Sequence, residues 1–159
     1  MGARRMSLTA WLGYAGAFFV AWFLSAGIFA NFPMMGSLPN LLPVCIAFVA
    51  VLEGSLIGSL FGLFAGVFSW LAQGDEVMIF LGAVIGMVAG LARSRRPWLG
   101  CMVSALLALI LVNGLHLLAG GGSPTVMVGI AGWEVAYSML LALPVYPMFR
   151  FVRRRPGVG

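Results

Sequence analysis

Few residues in this chain can do chemistry: one histidine, four carboxylates, two cysteines and nine arginines among 159 residues. His116 follows Asn113 by three positions, which puts both on one face if the segment is helical. Glu134 stands sixteen residues before Arg150, most of the length of one membrane span, and so at a similar depth in the next apolar run. A His116–Glu134 hydrogen bond or ion pair is therefore within reach, with Asn113 beside it. Such a pair could relay a proton or hold a ligand; more often a pair of this kind fastens two helices together. Glu53 falls at a turn, where a carboxylate is solvated or paired with arginine, and Asp75 and Glu76 belong in water. Ser55, Ser59 and Ser69 are placed to bond back to carbonyls of their own helix. Cys45 and Cys101 each sit in an apolar segment without metal-ligand spacing, as small buried hydrophobes.

No catalytic set emerges from these types. A single histidine excludes the two-histidine zinc motif, the glycines lack the lysine that grips phosphate, and no Ser–His–acid spacing occurs. The expectation is a protein that is not an enzyme and uses no metal or cofactor.

Composition says what kind of chain must position these groups. It is 62% hydrophobic and 8% charged, with a mean hydropathy of +1.08, against about 25% charged in ordinary soluble domains. An integral membrane protein follows, and no polar stretch is long enough for a second domain, so residues 1–159 read as one bundle. The basic residues are all arginine, in short clusters flanking apolar runs: Arg4 and Arg5, then Arg93, Arg95 and Arg96, then Arg150, Arg153, Arg154 and Arg155. That placement speaks of membrane orientation and contact with inner-leaflet lipid, not of nucleic acid. The first apolar run, 8–30, is about twenty-three residues, longer than the seven to fifteen of a signal peptide, and reads as a retained helix.

The arginines also decide the number of crossings. The block 40–72 is too long for one span and short for two. If it crosses twice, all three arginine clusters fall on one side; if once, two of them move outside, against the positive-inside bias. The expectation is an all-α bundle of six transmembrane helices, at 8–30, 40–52, 54–72, 77–92, 99–119 and 126–149, with both termini cytoplasmic. Glu53-Gly54-Ser55 is then a tight inner turn. The second helix is short, carries Pro43 in its first turn, and begins within the outer interface or forms one arm of a re-entrant hairpin. Pro144 and Pro147 either kink the sixth helix or mark its exit.

Two ladders of glycine lie on the third and fourth helices: Gly54, Gly58, Gly62 and Gly66, then Gly82, Gly86 and Gly90. Each glycine costs about 1 kcal/mol against alanine in a soluble helix. In lipid, small residues at a spacing of four let two backbones approach. The ladders serve either the bundle's own packing or a partner helix, and Gly58 and Gly62 are placed inward.

In order along the chain, these segments resemble the rod shape-determining protein MreD family. The resemblance rests on Leu38-Pro39-Asn40-Leu41-Leu42, on the glycine-rich helix containing Phe61-Gly62-Leu63 and Gly66, and on Pro144-Val145-Tyr146-Pro147-Met148-Phe149-Arg150 running into a basic tail. One departure is that family members often carry an Asp shortly after the last glycine of that helix, where this chain has Ser69 or its neighbours. The resemblance implies a non-enzymatic scaffold in the bacterial plasma membrane. Such a scaffold binds membrane-anchored MreC and helps couple the MreB filament to peptidoglycan synthesis by the elongation complex. It also implies a fold like the S components of energy-coupling-factor transporters, so the alternative is a substrate-binding S component for a vitamin or ion. The scaffold reading expects no buried polar pocket and a small-residue face turned outward. The transporter reading expects an external cavity lined by Asn113, His116, Trp133 and Glu134.

Overall fold

The computed structural model describes residues 8–33, 37–74, 76–92, 96–119 and 124–154. They form six α-helices: α1 (Leu8–Phe23), α2 (Leu42–Glu53), α3 (Ser55–Gln73), α4 (Val77–Leu91), α5 (Pro97–Ala119) and α6 (Pro124–Arg154). Among the described residues four stretches are long and apolar enough to cross a membrane: Leu8–Ile28, Ser55–Ala72, Pro97–Ala119 and Thr125–Arg153. That is the mark of a membrane protein. The helices α2 and α4 are apolar but shorter.

The centre of the molecule is α2. Every residue from Leu42 to Leu52 is buried, so this helix is apolar all round, as a fully enclosed helix must be. Its twelve residues rise only about 18 Å, against the roughly 30 Å of a bilayer's hydrocarbon core. The other helices surround it, and the contacts of α2 reach α1, α3, α4, α5 and α6. The chain reverses between α2 and α3 at Gly54, whose φ of 111° and ψ of 173° lie in a region that only glycine enters without strain. The block 40–72 is thus two helices joined by a one-residue turn.

The most extensive helix–helix contact is between α3 and α4, and glycine makes it possible. A Cβ added at Gly62 would fall on the Gly82 carbonyl oxygen, one at Gly86 on the Gly58 carbonyl oxygen, and one at Gly66 on the Met78 carbonyl oxygen. One at Gly90 would strike the backbone of Ser55. The two ladders therefore face each other in antiparallel register, backbone against backbone, and Gly58 also abuts Ala50 of α2. The outward small-residue face expected of a scaffold is not present in these ladders, because each row is consumed by the other.

Where α1 meets α3, rings take the place of glycine. Phe18 packs edge-on against Phe61, Phe64 and Phe68, and Trp22 meets Phe68 with centroids 5.1 Å apart. Each such pair contributes about 0.5–1.5 kcal/mol beyond its buried area. After Phe23 the first helix loosens into a π-turn (Leu24–Ile28) and a 3-10 turn (Phe29–Asn31), so the run expected to be one helix over 8–30 ends in two irregular turns. The last helix does the opposite. It passes Pro144 and Pro147 without ending and continues to Arg154, so the prolines do not mark an exit.

The helices alternate in direction, which gives the molecule two ends. Leu8, the Gly54 turn, Pro97 and Arg153 gather at one, which also carries Arg96 and Arg150; this is shown by Gly13 against Val152, Tyr14 on Glu53, and Leu52 with Pro97, Arg150 and Arg153 around one small hollow. The other end holds the last turns of α1, α3 and α5 and a larger cavity.

Candidate functional site

The cavity exists because α2 is short. Helices α1, α3, α5 and α6 run on past its first residue, and segment 37–41 folds inward to floor the space left over. The backbone of this irregular segment is satisfied by neighbours, as it must be at depth in a bundle. The Ser25 hydroxyl donates to the Pro39 carbonyl (2.6 Å), the Ser37 hydroxyl to the Ile130 carbonyl (2.9 Å), and the Asn40 N–H to the Ser138 hydroxyl (2.8 Å). Tyr137 ties the same region down by donating to the Phe32 carbonyl (3.3 Å).

The resulting cavity measures about 550 Å³, with Trp22, Asn40, Ser69, His116 and Glu134 in its walls. Glu134 accepts a hydrogen bond from the Asn113 Nδ2 at 3.4 Å, and the same Asn113 amide donates to the Leu109 carbonyl one turn back. The Asn40 side chain and His116 are also near the carboxylate. The three residues singled out from spacing thus come together, but Asn113 supplies the amide that holds Glu134, and His116 faces the shared space. Trp133 does not line the cavity and lies on the exposed surface. The scaffold reading's expectation of no polar pocket is overturned: a helix of twelve residues cannot fill a bundle built from longer ones. Ser69 of α3 stands in the cavity wall.

Several groups here escaped sequence reasoning. Trp22 looks like one more apolar residue, yet its buried indole N–H has no hydrogen-bond partner among the described residues. Asn40 looked like the start of a helix and is instead part of the floor. The available signal was the brevity of the apolar run after Pro43, which implies empty space above it.

A second feature lies between α4 and α5. These helices touch only lightly, leaving an apolar groove of about 120 Å³ lined by Val84, Val88, Ala92, Ser104, Leu107 and Leu111. Ser104 is buried, and its hydroxyl has no partner among the described residues. An unpaired hydroxyl in apolar surroundings is costly, by about 1–3 kcal/mol on mutational scales.

At the arginine end, Glu53 receives the Tyr14 hydroxyl at 2.5 Å. Among the described residues it is thereby tied to a tyrosine of α1. Ser59 bonds back to the Leu56 carbonyl of its own helix (3.3 Å), and Cys45 and Cys101 are buried free thiols. Arg150 and Arg153 border the hollow beside Leu52 and Pro97. Arg4, Arg5, Asp75, Arg93, Arg95 and Arg155 lie outside the described residues, as does the side chain of Arg154. Among the described residues no group of three or more His, Cys, Asp or Glu is placed to hold a metal ion. Comparison with protein-family models, with curated proteins and with solved structures gave no match.

Proposed function

We propose that this protein is a non-enzymatic membrane scaffold of the MreD type. In this reading it spans the bacterial plasma membrane six times with its arginine end in the cytoplasm. It binds the transmembrane helix of a membrane-anchored MreC-type partner and so helps couple the MreB filament to peptidoglycan synthesis. The observation that carries this reading is the α4–α5 groove. Helices in lipid associate by close packing and by interhelical hydrogen bonds, since lipid already solvates apolar side chains. A groove walled by Val, Ala and Leu offers a partner helix the close packing. The orientation rests on the positive-inside bias: Arg96, Arg150 and Arg153 share one end, and the arginines outside the described residues belong to the same three clusters.

The test is purification of the tagged full chain from its native membranes in mild detergent, followed by mass spectrometry. The expected result is recovery of an MreC-type protein with elongation enzymes, lost when Val88→Trp fills the groove. Recovery of ATP-binding coupling subunits in their place would overturn the reading and favour the transporter S component.

A further inference from the structure

We infer that the cavity above α2 is a binding site for a small amphipathic amine, whose cationic head meets Glu134 and whose apolar body lies against Trp22 and Ile130. This goes beyond the scaffold reading and stands without it. Three observations carry it.

The first is size and shape. At about 550 Å³ the cavity falls within the roughly 300–1,000 Å³ of small-molecule sites, and like them it combines apolar walls with a few convergent polar groups. Leu38, Pro39, Met78 and Ile130 give it apolar surface, and Asn40, His116 and Glu134 face it from different elements.

The second is charge. Among the described residues Glu134 is the only carboxylate in the wall, and beside it stands His116 but no lysine or arginine. The described arginines lie at the opposite end of the molecule. Asn113 holds the carboxylate in place with one amide N–H, but an amide does not neutralise it. A carboxylate fixed in a half-enclosed space attracts a cation more strongly than it would in water, because the surrounding dielectric is lower. An anionic ligand would meet like charge there and is disfavoured by the same argument.

The third is an aromatic wall. Trp22 lines the cavity, and its ring is fixed edge-on against Phe68 of α3. A fixed indole is the best of the aromatic side chains for contact with a cationic head or the methylenes next to it. The seryl hydroxyls of Ser25 and Ser37 are already committed to backbone carbonyls. They shape the floor and leave recognition to Glu134, His116 and Trp22.

The test uses the full chain in phosphatidylcholine nanodiscs, with empty nanodiscs as background. Three probes of nearly equal shape and different charge are measured by equilibrium dialysis: benzylamine, benzyl alcohol and benzoate. Saturable binding of benzylamine is expected, at least tenfold weaker binding of the alcohol, and none of benzoate. Glu134→Gln should weaken benzylamine at least tenfold. Ile130→Trp, which adds bulk to the cavity wall while leaving the Glu134 carboxylate in the chain, should abolish it, so the result does not depend on one variant folding. Absence of saturable benzylamine binding, equal binding of the three probes, or undiminished binding by Ile130→Trp would overturn the assignment.

Discussion

Two side chains in this molecule behave differently from what their types suggest, and both can be tested singly. The Tyr14 hydroxyl is donated to Glu53 across 39 positions of sequence, pinning α1 to the end of α2. Hydrogen bonds to charged groups contribute about 1.5–3 kcal/mol, so Tyr14→Phe should lower stability by about 2 kcal/mol. The ring's stacking on Phe149 should survive, and unfolding by increasing sodium dodecyl sulfate in mixed micelles would measure the loss. Ser104 is the reverse case. Its hydroxyl lacks a partner, so Ser104→Ala should leave the isolated protein as stable as before or up to about 1 kcal/mol more so, since a burial penalty is removed. A marked loss of stability on Ser104→Ala would mean that the hydroxyl is already bonded within the bundle. Neither role was legible in the sequence. Spacing brought Asn113, His116 and Glu134 to one depth because they lie on adjacent helices with simple periodicity. Tyr14–Glu53 joins elements whose relative rotation no local pattern records.

At the scale of elements, the glycine ladders were the most legible feature, because their chemistry is a property of the helix face itself. The register between them was not: that Gly58 lies opposite Gly86, and Gly62 opposite Gly82, depends on the tight spacing of the α3–α4 connection. The contact makes a sharp contrast between glycines of one type. Gly62→Ala drives a Cβ into the Gly82 carbonyl, where backbone must move, and overpacking of this sort costs about 1–3 kcal/mol. A Cβ at Gly114 meets nothing within 4 Å, so Gly114→Ala should be neutral or stabilising by up to about 1 kcal/mol. Equal effects of the two substitutions on unfolding in mixed micelles would contradict a backbone-to-backbone zipper. The second helix shows why the cavity was harder to read. Its shortness and Pro43 were plain, but a short apolar run is also compatible with a re-entrant hairpin. Only its complete burial, with five other helices around it, turns shortness into space.

For the whole molecule, six helices alternating between an arginine end and a cavity end account for the charge pattern that first suggested the crossings. With the arginine end in the cytoplasm, a cysteine introduced at exposed Leu118 should react with a membrane-impermeant maleimide added outside intact cells. One at exposed Leu8 should react only after the membrane is opened, and buried Cys45 and Cys101 should stay silent in both. Reversal of the two reactive positions would invert the molecule. A partner's transmembrane helix seated in the α4–α5 groove would touch that groove and not the far face of α6. A photo-crosslinking amino acid placed at Leu107 in the groove, and separately at exposed Leu140 on α6 outside it, tests this in living cells. Docking in the groove requires a discrete adduct to the MreC-type partner from Leu107 and none from Leu140. An adduct of equal yield from both positions, or none from Leu107, would contradict it.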